Sequence, residues 1–346
     1  MKIIENINIE KLHPITSPQE LKNQFPITET IANLIFESRN IINNILTGKD
    51  PRKLIIVGPC SIHDPKLALE YAQKIYKLHQ QFNDKLYIVM RVYFEKPRTT
   101  IGWKGLINDP NLDGSTNLKL GLQVGRELLL SILNIGMPTA CELLDPILPQ
   151  FYADLVSWSS IGARTSESQP HREMTSGLSM PVGIKNGTDG SILAAINALQ
   201  AAIHPHTFIG VNQDGKASLV KTKGNQLCHI ILRGGNKGPN YYADSIKDII
   251  NVLNSKKVCN KILVDCSHGN SEKKAKNQHK VFNSVCDQIL NGNKNIIGMM
   301  VESNIKEGNQ PIKSNLNELD YGVSITDECI GFEETENLLK EMYNKL

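Results

Sequence analysis

The sequence lacks a long apolar run, an excess of either charge, and a regular spacing of cysteines. No segment approaches the roughly 20 apolar residues that a membrane-spanning helix needs. The 38 basic and 35 acidic residues leave a net charge of +3 without a concentrated basic run, which disfavours a nucleic-acid binder. The seven cysteines are odd in number and irregularly spaced, which argues against a disulfide framework.

The start of the chain lacks the apolar core of a signal peptide, because Glu5 and Glu10 interrupt it. Together these absences predict a protein of the reducing cytoplasm that binds neither membranes nor nucleic acid. The composition, 40% hydrophobic and 21% charged, is ordinary for a globular protein.

The dominant pattern is a short apolar run that ends at a charged or metal-capable side chain, repeated eight times between residues 54 and 303. Helical segments alternate with these runs, which predicts an α/β fold of the (β/α)8 or TIM barrel type. In that fold the carboxyl ends of all strands surround one active-site mouth. The runs end at or near Cys60, Arg91 and Lys96, Glu142 and Asp145, Arg164, Lys185, Arg233, His268 and Glu302.

The chain divides into an N-terminal extension, 1–53, and a catalytic barrel, 54–346. The extension contains a helix predicted over 28–46, whose apolar face could pack on the barrel floor or against another subunit. Further helices are predicted over 65–82, 118–133, 191–203, 242–253, 280–290 and 334–346. Residues 204–228 break the rhythm and predict an inserted β-hairpin around Asp214-Gly215. Such insertions usually form an interface or a regulatory surface.

Four metal-capable side chains follow predicted strands: Cys60, His268, Glu302 and Asp327. A thiol, an imidazole and two carboxylates make a mixed site that suits Mn, Fe, Co or Zn. Taken alone, a cysteine in GPCS is usually a small buried residue, and Cys266 is a competing sulfur. Their joint occurrence at one barrel mouth favours a divalent metal site.

A cationic set also ends or follows the predicted strands: Arg91, Lys96, Arg98, Arg164, Lys185 and Arg233. Unpaired, these charges would repel one another by several kcal/mol in a partly dry cavity. Salt bridges to acidic residues can offset some of that repulsion, the candidates being Glu95, Glu142, Asp145 and Glu167. The remainder predicts a substrate with several anionic groups, or two anionic substrates. The loop KPRTTIGWKG, with Arg98 and Thr99, suits a phosphate clamp.

Long motifs of the chain resemble those of the type I 3-deoxy-D-arabino-heptulosonate 7-phosphate (DAHP) synthases, microbial enzymes that open the shikimate pathway. They include GPCSIHDP, MRVYFEKPRTT, GARTSESQ, GIKNGTDG, DCSHGNS, ESNIKEGNQ and YGVSITDECIGF. The resemblance covers essentially the whole chain. It implies a condensation of phosphoenolpyruvate with D-erythrose 4-phosphate that releases phosphate, the first step towards the aromatic amino acids.

The resemblance also implies a role for each candidate residue. The metal-ligand positions of the family are Cys60, His268, Glu302 and Asp327. The phosphoenolpyruvate positions are Arg91, Lys96, Arg164, Lys185 and Arg233. The erythrose 4-phosphate positions are Arg98 and Thr99. As a hypothesis, Lys96 and His268 carry protons and Glu142 positions a water.

Family members use the extension and the hairpin to form an inhibitor pocket at a subunit interface. The resemblance therefore implies a homodimer or homotetramer that an aromatic amino acid inhibits. GLSMPVG and FIGVNQDG resemble tyrosine-inhibited members more than those inhibited by phenylalanine or tryptophan, because Gly210 leaves room for a phenolic oxygen. Pro149, Gln150 and Phe208 would line the same pocket, although ordinary packing explains them equally well.

Three alternatives compete with this interpretation. A synthase that uses arabinose 5-phosphate shares the barrel, but its clamp resembles KANRS rather than KPRT. A metal-dependent aldolase would not need a second set of anion-binding cations. A catalytically silent sensor of an aromatic amino acid would have lost a metal ligand or a cation, and none is missing here.

Overall fold

The computed structural model describes residues 4–98 and 101–346. Its ten strands, β1 to β10, are Lys53–Gly58, Leu86–Arg91, Thr139–Glu142, Trp158–Ile161, Val182–Lys185, Thr207–Val211, Ala217–Lys221, Cys228–Leu232, Ile262–Asp265 and Ile296–Glu302. Eight of them form a closed parallel barrel, in which β5 pairs directly with β8 and β10 returns to β1. The predicted (β/α)8 barrel is confirmed.

The apolar runs form strands because both faces of each strand are buried. Alternate residues such as Leu54, Ile56 and Trp158 form an inner cluster, and their neighbours pack outward against the helices. The extension contributes Ile42 and Ile45 to the inner cluster. The apolar face of the predicted 28–46 helix therefore packs on the barrel, which the sequence left open.

Ten α-helices, α1 to α10, span Pro18–Gln24, Glu29–Thr47, Pro65–Phe82, Leu118–Ile135, Pro149–Tyr152, Gln169–Gly177, Leu193–Ala202, Ala243–Ser255, Gln278–Leu290 and Phe332–Lys345 in the described part of the chain. Each predicted helix is present with ends within two residues. Thr28 caps α2 by accepting from the Ile31 N–H, and Gly48 ends it in the left-handed conformation. The short α1, α5 and α6 were not predicted. In the described ranges, no helix combines the length and apolar character needed to cross a bilayer.

The inserted hairpin is present as β6 and β7, which pair antiparallel outside the barrel. Its turn residue Gln213 joins three parts of the molecule. The Gln213 carbonyl accepts from the Gln19 N–H of α1 at 2.8 Å, and its side-chain oxygen accepts from Lys22 at 2.8 Å. Its amide nitrogen donates to Gln150 of α5 at 2.9 Å. The extension, the hairpin and α5 therefore meet at the hairpin turn.

Candidate active site

A cavity of about 450 Å³ opens at the carboxyl ends of the barrel strands. Its lining includes most of the residues predicted from the sequence: Arg91, Lys96, Arg98, Glu142, Arg164, Lys185, Arg233, His268, Glu302 and Asp327. Cys60 is fully buried beside it. Thr99, predicted to bind a phosphate with Arg98, lies outside the described residues. The parallel topology thus brings side chains from distant parts of the sequence to one mouth.

Three of the four predicted metal ligands form a compact trio: Cys60, Glu302 and Asp327. Their ligand atoms all lie within 4.8 Å of one another, and Cys60 Sγ is 3.5 Å from Asp327 Oδ2. A divalent ion with bonds of about 2.0–2.3 Å holds its ligands at such separations, so the donor set fits a metal. His268 lies beside the trio, with Nε2 3.8 Å from Glu302 Oε1. Among the described residues, Cys60 rather than Cys266 is the cysteine that belongs to this trio.

The strand ends and the loops that follow them position this trio. Gly58 at the end of β1 pairs in register with Glu302 at the end of β10, and Cys60 follows two residues later. A Cβ atom at Gly58 would lie 3.0 Å from the Arg91 carbonyl, and its φ of +151° disfavours any side chain. Asp327 reaches the site because the loop after β10 folds back, with Gly308 and Cys329 exchanging backbone hydrogen bonds.

Two buried ion pairs organise the cations of the cavity. Arg91 donates to Glu302 at 2.8 Å, and both side chains are almost fully buried. The Arg91 guanidinium also lies 4.1 Å from the centre of the Tyr93 ring, a favourable cation–π contact. Lys185 donates to Glu142 at 2.7 Å. Glu302, assigned from the sequence to the metal, is therefore also the partner of Arg91.

Lys96 links the cationic set to the metal-capable trio. Its Nζ is 3.0 Å from Cys60 Sγ and 3.8 Å from Asp327 Oδ2. Burial disfavours the charged amine, but Cys60, Asp327 and Glu302 outweigh burial and raise the pKa of Lys96. Lys96 is therefore protonated at neutral pH, the form that a proton donor must have.

The other ionisable groups divide by environment. Burial and the negative charge of Glu302 raise the pKa of the Cys60 thiol to about 12. Burial opposes ionisation of Glu142, yet Lys185 and Lys96 hold its pKa below the ordinary value. Burial lowers the pKa of Arg233, because it disfavours the charged form of the guanidinium. An anion bound beside Arg233 would favour the charged form and offset this cost.

Glu95, also proposed as a salt-bridge partner, has no cation partner among the described residues. It accepts from the backbone N–H groups of Leu144 and Asp145 and from the Tyr152 hydroxyl. Asp145 accepts from the backbone N–H groups of Ile147 and Leu148. Arg98 donates to the Trp103 carbonyl at 2.7 Å.

Asp265 and Gln278 are among the residues at the site that were not found from the sequence. Asp265 ends β9, is fully buried, and lies 2.9 Å from His268 Nδ1 and 3.9 Å from Lys185. Burial opposes its ionisation, but His268, Lys185 and Arg91 hold its pKa well below the ordinary value. Gln278 exchanges two hydrogen bonds of 2.9 Å with the backbone of Glu302. Asp265 carried a signal, a carboxylate at a strand end three residues before His268, whereas Gln278 carried none.

The four residues predicted to form a regulatory pocket lie on α5 and the hairpin. Gln150 contacts the hairpin turn through Gln213, and Pro149 begins the same helix. A Cβ atom at Gly210 would lie 2.8 Å from a methyl group of Val220 and 3.6 Å from the Phe208 ring. Packing within the hairpin therefore explains why position 210 carries no side chain. This explanation does not depend on any role of Gly210 in selecting an inhibitor.

The fold and the cavity together define a barrel enzyme whose mouth combines a metal-capable trio with a cationic cluster. A sequence model of the DAHP synthetase I family matches residues 23–340. The chain is 52% identical over 343 residues to the Tyr-sensitive phospho-2-dehydro-3-deoxyheptonate aldolases of Salmonella typhimurium and Escherichia coli K12, covering 99% of this chain and 96% of each relative. The Phe-sensitive relative of Escherichia coli K12 is 51% identical over 340 residues, 98% of this chain and 97% of that relative.

A solved structure gives the same result. The phospho-2-dehydro-3-deoxyheptonate aldolase of Francisella tularensis SCHU S4 superposes with a TM-score of 0.95 at 45% identity, covering 98% of each chain. The chain belongs to the DAHP synthetase I family.

Proposed function

We propose that the protein is a DAHP synthase, which condenses phosphoenolpyruvate with D-erythrose 4-phosphate to DAHP and phosphate, in the cytoplasm. The observation that carries the proposal is the single cavity in which the cationic cluster faces the metal-capable trio. Phosphoenolpyruvate brings a phosphate and a carboxylate, and erythrose 4-phosphate brings a second phosphate. Two anionic substrates account for a cluster of this size.

The inner cations hold phosphoenolpyruvate in this proposal. Arg91 and Lys185 lie deepest and are already oriented by Glu302 and Glu142, while Arg164 and Arg233 complete the anion site. A guanidinium group can donate two parallel hydrogen bonds to one phosphate or carboxylate. Arg98, nearer the cavity entrance and joined by Thr99 in the sequence, binds the phosphate of erythrose 4-phosphate. The two substrates then meet over Lys96.

A divalent ion of Mn, Fe, Co or Zn, held by Cys60, Glu302, Asp327 and His268, would polarise the aldehyde oxygen as a Lewis acid. C3 of phosphoenolpyruvate attacks the aldehyde carbon, water adds at C2, and the hemiketal phosphate loses phosphate through carbon–oxygen cleavage. Protonated Lys96 donates a proton to the aldehyde oxygen as it becomes an alcohol. His268, the second proton carrier proposed from the sequence, is better suited to hold the metal, because Nδ1 faces Asp265 and Nε2 faces the trio. Glu142, anchored by Lys185, orients the water.

Regulation by an aromatic amino acid forms the second part of the proposal. The extension, the hairpin and α5 converge at Gln213, next to the residues proposed to line the pocket: Pro149, Gln150, Phe208 and Gly210. Ile209 and Leu219, opposite each other in the hairpin, are 83% and 67% exposed. Such apolar surface suits burial in a homodimer or homotetramer. Tyrosine is the favoured inhibitor, and the alternative is phenylalanine or tryptophan.

Phosphate release from phosphoenolpyruvate tests the reaction. We expect turnover with erythrose 4-phosphate and little with arabinose 5-phosphate, with EDTA abolishing the activity and Mn²⁺ restoring it. Turnover with arabinose 5-phosphate alone would favour the related synthase. No turnover with any divalent metal supplied would refute the catalytic proposal. Adding each aromatic amino acid in turn then identifies the inhibitor.

A further inference from the structure

A buried carboxylate and a hydroxyl surround one nitrogen of His268. We propose that Asp265 and Ser267 hold His268 in the tautomer with its proton on Nδ1, so that Nε2 faces the metal-capable trio as a bare lone pair. Asp265 and Ser267 are then positioning residues for metal capture. The inference rests on the proposed metal site, and it adds a role for two residues outside the proposed set of ligands.

The contacts around Nδ1 are short and enclosed. Asp265 Oδ2 lies 2.9 Å from His268 Nδ1, and Ser267 Oγ lies 2.8 Å from the same nitrogen. Asp265 is fully buried and Ser267 is 2% exposed. Water therefore does not compete with these two oxygens for Nδ1, and the oxygens determine whether this nitrogen carries a proton.

The tautomer follows from a count of protons. An ionised carboxylate can only accept, and a hydroxyl has one proton to donate. The Ser267 hydroxyl donates that proton to Asp265 Oδ1 at 2.6 Å. The Ser267 oxygen therefore also presents a lone pair to Nδ1. Both neighbours of Nδ1 are acceptors, so a neutral imidazole places its proton there.

A second carboxylate competes for the same proton from the other side of the ring. Glu302 Oε1 lies 3.8 Å from Nε2 and, without Asp265 and Ser267, would favour a proton on that nitrogen. A protonated Nε2 has no lone pair for a metal. Ser267 Oγ hydrogen-bonds Nδ1 at 2.8 Å, and the Asp265 carboxylate attracts a proton on Nδ1 from 2.9 Å, although Oδ2 is not aligned for a hydrogen bond. Both oxygens lie closer to Nδ1 than Glu302 lies to Nε2 at 3.8 Å, and hydrogen bonds weaken beyond about 3.2 Å.

The backbone adds an independent sign that this ring is held in place. His268 has a φ of +55°, in the left-handed region that side chains rarely adopt. The Lys273 N–H donates to the His268 carbonyl at 2.7 Å and maintains this turn. Strain of this kind concentrates at functional positions, and here it directs the imidazole between Asp265 and Glu302.

The tautomer can be read directly from ¹⁵N chemical shifts of the metal-free, full-length protein labelled at histidine. Spectra are taken at increasing pH, and the tautomer is read where the ¹⁵N shifts no longer change with pH. Subtracting the spectrum of His268→Gln assigns His268 among the nine histidines. We expect a protonated Nδ1 and an unprotonated Nε2. A protonated Nε2 in the wild-type protein would overturn the inference.

Metal affinity supplies the second readout, by Co²⁺ titration without substrates. In Asp265→Asn the amide N–H₂ can donate to Nδ1 and force the opposite tautomer, so we expect Co²⁺ affinity about 10–100-fold weaker. Ser267→Ala should weaken it less, and the exposed Asp248→Asn should leave it unchanged. Unchanged affinity in Asp265→Asn would count against the inference. If the wild type bound no Co²⁺, the proposed metal site would fail, while the ¹⁵N spectra would still decide the tautomer.

Discussion

The barrel mouth and the hairpin surface differ in which kind of side chain is buried and which is exposed. At the mouth, charged side chains are buried and find their partners within the chain, as Arg91 does with Glu302 and Lys185 with Glu142. On the hairpin, apolar side chains are exposed, as Ile209 and Leu219 are. The groups proposed for catalysis therefore meet inside one chain, whereas the surface proposed for regulation is exposed and available to a second chain.

A continuous set of contacts joins these two regions. Gln213 of the hairpin turn contacts Gln150 of α5, and Tyr152 at the end of α5 donates to Glu95 at 3.2 Å. Glu95 directly precedes Lys96, which contacts Cys60. Helix α5, too short to be recognised in the sequence, thus lies between the hairpin and the metal-capable trio.

The largest effect is expected at the barrel mouth, from the substitution Glu302→Gln. The change weakens the metal-capable trio and leaves Arg91 buried without its carboxylate. We expect kcat/KM to fall by at least ~10³-fold and the free energy of unfolding to fall by about 3 kcal/mol. Phosphate-release assays and denaturant unfolding measure the two losses. The matched control is Glu307→Gln, an exposed carboxylate on the next loop, and turnover of Glu302→Gln equal to that control would contradict the prediction.

The next effect, which concerns stability and not catalysis, is expected where the two regions meet, at Glu95. Burial, the largest influence, raises the pKa of Glu95 to about 8 from an ordinary value of 4.5. Between these values the folded chain keeps a proton that the unfolded chain has lost, so the contribution of Glu95 to stability declines as pH rises through this window. Glu95→Gln lacks this titration.

Relative to the wild type, Glu95→Gln should therefore gain stability by about 1 kcal/mol per pH unit between pH ~5 and ~8. Urea unfolding of both proteins across that range measures the difference. Exposed Glu37→Gln on α2 is the control and should follow the wild type. A difference between Glu95→Gln and wild type that stays constant with pH would refute the assigned shift.

The smallest effect on the single chain is expected on the hairpin, from Ile209→Asp. Since Ile209 is 83% exposed, the folded protomer should lose less than ~0.5 kcal/mol. Sedimentation velocity should nevertheless show a shift towards smaller species, with phosphate release per chain retained. Leu290→Asp, at a site 41% exposed at the end of α9, should not change the assembly. An unchanged sedimentation coefficient for Ile209→Asp would remove the hairpin from the proposed interface.

Long elements of the fold were predictable because their signals are local and repeated. The 18 residues of α3 carry five turns of amphipathic pattern between an Asp64 cap and its end, and the predicted bounds match. The 4 residues of α5 complete little more than one turn, which carries no periodicity. It packs against α1 and α4, which no local pattern shows.

The candidate site was predictable as a set of residues and much less as a set of contacts. A parallel barrel places all strand ends at one mouth, so Cys60, Lys185 and Glu302 could be grouped without coordinates. Their pairing could not, since Arg91 and Glu302 are separated by 211 residues along the chain. Glu95, considered as a salt-bridge partner, instead accepts from uncharged donors.

The sequence by itself determined the barrel, the hairpin insertion, the family and the chemical character of the mouth, because these follow from periodicity and from long ordered motifs. Tertiary structure decided which charges neutralise one another, which nitrogen of His268 faces the trio, and where α5 meets the hairpin. Those features depend on distances of 3–4 Å between side chains from separate strands and loops. Such distances are set by how the whole barrel packs, and no local pattern encodes them.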